Sequence, residues 1–305
     1  MKYSIKVIAL AALLAQSTSA LGDELLSQFR MIHSTPFGVP ATSETLDTIE
    51  NRLPGIPKSK TGKSYLTVNK TGFDVLSSES SNNWVLKAYG DFLSSDNNQT
   101  ILDVGCGYGR IAHFALAHNQ TVIANDIAME HLIYTRQIAK KNDLTLDKLY
   151  LNNAYFPEDI SLEDNSLDAV VLYRVMHFMS PDEIELGLSK MHRWLKDEGK
   201  IFIVVLSPHH KEYADWYLPI YNAKWEAGDE WPGVGLEVSN ALPAQLYNLP
   251  AHLHVMDEKP LTKALDKKGF SVVQSGFVDM SRFHSNEGDS SNLGKESFGL
   301  IAQKI

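Results

Sequence analysis

Between residues 100 and 206 the chain alternates short apolar runs with amphipathic stretches. The runs are Thr100 to Val104, Thr121 to Asn125, Leu149 to Asn152, Leu167 to Leu172 and Lys200 to Leu206. Each has the length of a strand. Between them, Arg110 to His118, Met129 to Lys140 and Pro181 to Leu195 place apolar residues at helical spacing. In the last of these Ile184, Leu188, Met191 and Leu195 form one stripe, and Pro181 takes the first position that proline tolerates. Continuous apolar strands alternating with helices predict a mostly parallel sheet covered on both faces. Farther on, Lys259 to Lys268 reads as a helix closed by Gly269. Phe270 to Val278 and Ser297 to Lys304 read as two strands of an antiparallel hairpin. The expected fold is therefore a doubly wound, three-layer α/β domain with a seven-stranded sheet and a C-terminal antiparallel strand. Right-handed crossovers bring the carboxyl ends of the parallel strands to one edge, where such sheets bind ligands.

The flanks are less regular. Asp23 to Ile32 and Ser43 to Arg52 read as short helices, with Ser43 as a candidate N-cap. Pro54 to Pro57 is a turn, and Asn82 to Leu93 an amphipathic helix. Residues 207–253 are dense in aromatics without a period. The expected organisation is a leader over 1–20, an extension over 21–81, and the α/β domain over 82–305 with an insertion at 207–253.

The leader is argued from its layout. Lys2 and Lys6 precede the apolar run Val7 to Ala15, and small residues precede a cut after Ala20. The run is too short to span a bilayer, which takes about 20 residues. The expectation is export, to a secreted or periplasmic destination with no stable membrane span once the leader is cut. Retention of a reporter fused after residue 25 would reject it and leave the chain cytoplasmic. The formal net charge of −9 argues against a nucleic-acid partner, which needs a basic face. Cys106 is the single cysteine, so no intramolecular disulfide supports the fold. Sequons begin at Asn69, Asn98 and Asn119, and matter only in a eukaryotic secretory route.

The sharpest motif is the segment Ile101 to Arg110, which carries Gly105, Gly107 and Gly109 between a strand and a helix. Glycines there permit positive φ and close approach of a ligand to the backbone. Dinucleotide sites read G-x-G-x-x-G. This loop reads G-x-G-x-G, with Asp103 two positions ahead of it. A carboxylate at that strand end repels a pyrophosphate and suits a ligand with an ammonium group and no phosphate. The chain contains no G-x-x-x-x-G-K-[ST], which excludes a triphosphate P-loop.

At this point the chain resembles the class I S-adenosylmethionine-dependent methyltransferases. Residues 101–109 resemble the family's cofactor loop, and Thr121 to Asp126 its second strand with the terminal acid. Ser161 to Leu172 resembles the approach to the fourth strand, Val175 to Met179 the loop after it, and Trp194 to Lys200 the turn before the fifth. The resemblance implies S-adenosyl-L-methionine as cofactor, methyl transfer as reaction, and cofactor contacts at Asp103, Gly105, Cys106, Gly107, Gly109, Asp126 and Ile127. Asp126 would accept both ribose hydroxyls, and Asp103 the cofactor's amino group; the alternative for Asp103 is a charge serving the N-terminus of the next helix. Asn153 and Ala154 follow the third strand, where the family often has Asp against the adenine amino group; the carbonyl of Asn153 can accept the same bond. Tyr173 and Arg174 follow the fourth strand and face the methionine part or the acceptor, unless Arg174 forms a structural ion pair.

Methyl transfer is an in-line displacement, for which orientation can supply about 7–11 kcal/mol. A base is needed only if the acceptor has a proton to lose. His177 is the candidate, set against a merely packed histidine. Trp216, Tyr217, Tyr221, Trp225 and Trp231, interleaved with Glu226, Asp229 and Glu230, could hold a small cationic or amine acceptor by cation–π contacts, or simply pack. His209, His210, His252 and His254 are read as local polar packing and no metal is expected. Two other functions stay open: a non-catalytic exported protein that binds S-adenosylmethionine, and a nicotinamide oxidoreductase, which the loop spacing disfavours.

Overall fold

A computed structural model describes residues 20–59, 65–69, 71–72, 83–96, 98–241, 249–278 and 294–305. The expected leader, apart from Ala20, and the connection 279–293 lie outside these residues. No helix among the described residues is long and apolar enough to cross a membrane.

All seven expected strands form. They are β2 (Thr100–Val104), β3 (Thr121–Asn125), β4 (Leu149–Asn152), β5 (Leu167–Tyr173), β6 (Leu195–Leu206), β9 (Phe270–Val278) and β10 (Ser297–Lys304). The sheet nevertheless has eight strands, in the order β1-β4-β3-β2-β5-β6-β10-β9. The eighth, β1 (Val39–Pro40), comes from the N-terminal extension and pairs antiparallel with β4. Without it β4 would present an unpaired edge, and Ala41 continues the cover by donating its N–H to the Leu149 carbonyl at 2.9 Å. Strands β4, β3, β2, β5 and β6 are parallel, and β10 is antiparallel to both β6 and β9.

Successive residues of the central strands point to opposite faces. Ile101, Phe202, Val204 and Ile301 enter one core, covered by helices Trp84–Leu93, Arg110–Ala117 and Met129–Lys141. Leu102, Ile201, Ile203 and Leu300 enter the other, covered by Pro181–Trp194 and Glu258–Lys267. Side-chain caps start the helices at Trp84, rather than at Asn82, and at Pro181. Asn83 accepts the Leu86 N–H, and Ser180 with Glu183 forms a reciprocal capping box ahead of Pro181.

Two local expectations are corrected. The helix in the extension runs Thr45–Glu50 and begins after Glu44 without a side-chain cap, so Ser43 is not its N-cap. Strand β6 begins at Leu195, because Leu195 pairs with Leu167 ahead of a register shift; the turn expected over Trp194 to Lys200 is, from Leu195 on, part of the strand. The insertion is structured: helix Ala214–Glu226, strands β7 (Leu236–Glu237) and β8 (His252–Leu253), and a short helix Val238–Ala241. Its tyrosines Tyr213, Tyr217 and Tyr221 fill a small core of their own against Leu236 and Val255. Pieces this short leave no period in the sequence. Met256 returns to the sheet by donating to the Leu206 carbonyl at 2.9 Å.

Candidate functional site

The carboxyl ends of β2, β3 and β4 lie in register, Val104 opposite Asn125 and Asn125 opposite Asn152. The chain reverses direction across the sheet between β2 and β5, which makes their ends the switch point where such sheets bind ligands. The glycine loop sits there. Gly105 has φ +65°, and a Cβ on it would meet Val175, just after β5, at 2.6 Å. Gly109 has φ +80°, and a Cβ would meet Thr135 at 2.3 Å. Both positions therefore need glycine for backbone conformation and for space. The loop is anchored by the Cys106 N–H on the Asn125 carbonyl at 2.9 Å, and by Thr135 Oγ1 donating to the Gly107 carbonyl at 3.2 Å.

Asp126 ends β3 beside this loop and is 5% exposed. One carboxylate oxygen accepts the Gly107 N–H at 3.0 Å; the other accepts the Ala128 N–H at 2.8 Å. His131 Nδ1 lies 3.1 Å from that second oxygen, off the hydrogen-bond axis. Ile127 is a large apolar residue left 38% exposed next to Asp126. Asn153 donates its amide to the carbonyls of Asp126 and Ile127 at 3.0 and 2.9 Å. Those two bonds fix the orientation of the amide and turn its oxygen away from the β3 turn. The Ala154 carbonyl accepts from Asn125 Nδ2 at 2.9 Å, which ties the β3 and β4 turns together. Asp103 is buried under the loop, and one of its oxygens accepts the Ala112 N–H at 3.0 Å. That bond is the helix-serving role. Tyr173 ends β5, with its hydroxyl accepting from Asn83 Nδ2 at 2.8 Å.

Beyond β5, Arg174 adopts φ +62°, an uncommon backbone state for a residue with a side chain. His177 follows in a single 3₁₀ turn, 3% exposed, with no hydrogen-bond partner for Nδ1. Burial, then the charges of Arg174 and His254, hold its proton affinity well below the ordinary histidine range. The insertion meets it here, the His254 N–H donating to the His177 carbonyl at 2.9 Å. His254 packs edge-on against Trp231 with ring centres 5.2 Å apart, and lies within 3.1 Å of the Met179 carbonyl through Nδ1. The aromatic run does not assemble as one cage. Lys263 covers the ring of Trp225 at 5.7 Å, and Glu230 pairs with Lys263 and Lys267. Trp225 lines a cavity of about 570 Å³ with Phe270 and Ile305, at the other edge of the sheet. Trp216 stays exposed. Trp231 is joined through His254 to the turn after β5 that carries His177. His210 stacks on Tyr213, and no group of three or more His, Cys, Asp and Glu suited to a metal occurs among the described residues.

Two residues of this site were not singled out in the sequence, Tyr108 and His131. Tyr108 donates its hydroxyl to the Leu66 carbonyl at 2.7 Å, and His131 Nε2 accepts the Val68 N–H at 3.1 Å. Their partners lie far back in the chain, and no spacing rule links them.

The buried histidines set a pH dependence. Burial is the main cause that lowers His254 from 6.5 to about 4. Between those values the unfolded chain binds more protons than the folded one, so stability falls as pH falls. His177 adds in the same direction. His254 alone is expected to cost about 2 kcal/mol at pH 5 relative to pH 7. Urea denaturation at the two pH values measures it; an unchanged midpoint would contradict neutral burial. Glu230, held at about 2 by Lys267 and Lys263, titrates below this window.

Comparison with known proteins agrees with this geometry. Residues 101–199 match the family model of the methyltransferase domain. Phosphoethanolamine N-methyltransferase 1 from Triticum aestivum is 28% identical over 116 residues, 36% of this chain and 22% of that protein. A second wheat phosphoethanolamine N-methyltransferase is 27% identical over 115 residues, 36% of this chain and 21% of that protein. The chain thus aligns with about a fifth of the length of either relative. Among solved structures, a SAM-dependent methyltransferase from Methanosarcina mazei superposes with a TM-score of 0.53 at 22% identity, covering 70% of this chain and 96% of that one. At that identity the likeness concerns the fold.

Proposed function

We propose that this chain, which carries a class I S-adenosylmethionine-dependent methyltransferase domain, transfers the cofactor's methyl group to a small amine acceptor. The observation that carries the reading is that one edge of the sheet presents both Asp126, beside the glycine loop, and His177, whose buried Nδ1 has no hydrogen-bond partner.

The residues present fit the cofactor. Asp126 offers a carboxylate at the strand end, the chemistry that two ribose hydroxyls require. Asn153 keeps its carbonyl oxygen for an adenine amino group, since its amide is already spent on the β3 turn. The exposed Ile127 supplies an apolar face for a planar base. When bound, S-adenosylmethionine supplies an activated methyl carbon. The protein's part is then to align the acceptor, exclude water and remove a proton. His177 suits the last role: it stays neutral at physiological pH and has a ring nitrogen to spare. An ammonium acceptor must lose a proton before its nitrogen can attack.

The amine is supported by two further observations. Trp231 is held near His177 through His254, and an aromatic ring attracts a cation by about 0.5–2 kcal/mol. The wheat relatives are by name phosphoethanolamine N-methyltransferases. The test incubates the full chain with methyl-labelled S-adenosylmethionine and a panel of small amines that includes phosphoethanolamine. Label should enter an amine, and Trp231→Ala should raise the acceptor KM about three- to thirtyfold while S-adenosylhomocysteine affinity holds. Transfer only to carboxyl or hydroxyl acceptors, or an unchanged KM, would reject the amine.

A further inference from the structure

The segment 65–69 of the N-terminal extension lies against the cofactor loop through two buried side chains. Tyr108, inside the glycine loop, donates to the Leu66 carbonyl at 2.7 Å. His131, on the following helix, accepts the Val68 N–H on Nε2 at 3.1 Å. That bond fixes the tautomer: an Nε2 that accepts carries no proton, so the proton of the neutral ring is on Nδ1. Nδ1 lies 3.1 Å from the carboxylate of Asp126, an electrostatic contact of the ring N–H with the charge and not an aligned hydrogen bond. The two rings support each other edge-on at 4.9 Å, and Tyr134 packs on Tyr108 while its hydroxyl donates to the Pro54 carbonyl. Tyr108 and His131 are at most 1% exposed. One imidazole therefore touches the proposed ribose-binding acid with one nitrogen and the backbone of the extension with the other.

We infer that His131 is a positioning residue that couples the extension to the cofactor, orienting Asp126 through Nδ1 and latching the 65–69 segment through Nε2. The inference rests on the cofactor reading above. A bound ribose fixes Asp126, Asp126 fixes the imidazole, and the imidazole holds Val68. Coupling of this kind is reciprocal. Cofactor occupancy must tighten the 65–69 segment by the same factor by which a latched segment tightens the cofactor. The extension then acts as a strap across the cofactor loop.

The test uses the full chain with S-adenosylhomocysteine as probe, and reads its Kd by calorimetry and the amide exchange of residues 65–69. Saturation with the probe should slow exchange there about threefold or more. Tyr108→Phe keeps the ring and removes only the bond to Leu66. His131→Asn keeps a donor near Asp126 and cannot reach Val68. Each should speed exchange at 65–69 and raise Kd about three- to tenfold, the worth of one neutral hydrogen bond. Two results would overturn the coupling: exchange at 65–69 indifferent to the probe, or Tyr108→Phe loosening the segment with Kd unchanged. If the unsubstituted chain fails to bind the probe, the cofactor reading falls and takes the coupling with it, whereas tight binding with uncoupled exchange removes the coupling alone.

Discussion

Asp126→Ala should weaken S-adenosylhomocysteine binding at least about a hundredfold, the largest effect on cofactor affinity of any single substitution in this site. Hydrogen bonds to a charged group contribute about 1.5–3 kcal/mol each, and the carboxylate is placed to accept from two ribose hydroxyls. Losing both amounts to a factor of about 10² to 10⁴. Alanine also leaves the Gly107 and Ala128 N–H groups without their acceptors, which loosens the loop that the cofactor must meet. Asp126→Asn separates the two effects. It retains one oxygen for a backbone N–H, so the loop holds better, but it cannot accept from both hydroxyls with full charge. Its binding should fall between alanine and the parent. The main sheet and its two cores do not depend on this side chain, so far-UV circular dichroism should stay that of the parent. Equal affinity in the alanine variant would remove Asp126 from the ribose site.

His177→Gln should lower kcat by about 10² to 10⁴ with little change in cofactor affinity, the range in which positioned bases act. Glutamine preserves bulk and a hydrogen-bonding group but cannot take a proton at neutral pH. The pH profile makes the role specific. Burial, Arg174 and His254 keep His177 unprotonated through the neutral range. A base is active above its pKa, so the parent's kcat should hold level from pH 8 to 6 and fall only in more acid solution. A histidine that merely packs would instead change stability or KM and leave the acid limb of kcat unmoved. A kcat that drops already near pH 7 would show that the imidazole is not held neutral.

The parallel sheet was legible because the strands between Thr100 and Leu206 are short apolar runs, and helices follow β2, β3 and β5. Buried on both faces, such strands cannot disguise themselves. The site edge followed, because Asp103, Gly105 and Asp126 sit where those strands stop. What stayed hidden was made by contacts distant in sequence. Val39 and Pro40 form an edge strand only because β4 offers a free edge, and two residues carry no periodicity. The insertion buries Tyr213, Tyr217 and Tyr221 among pieces of helix and strand too short to repeat. Trp225 and Trp231 look alike in the chain, yet Lys263 covers one and His254 meets the other. His131 gives no signal at all, since its meaning lies in Val68 and Asp126 at once. Asn153 is the opposite case: a departure from the family's usual acid becomes intelligible once its amide is seen holding the β3 turn.

The edge built by the glycine loop and Asp126 is expected to hold an S-adenosyl group. Calorimetric titration of the full chain with S-adenosylhomocysteine, and separately with a nicotinamide dinucleotide, tests it most directly. S-adenosylhomocysteine should bind saturably at one site, at least about a hundredfold more weakly in Asp126→Ala, and the dinucleotide should not bind. Binding of the dinucleotide alone would contradict it.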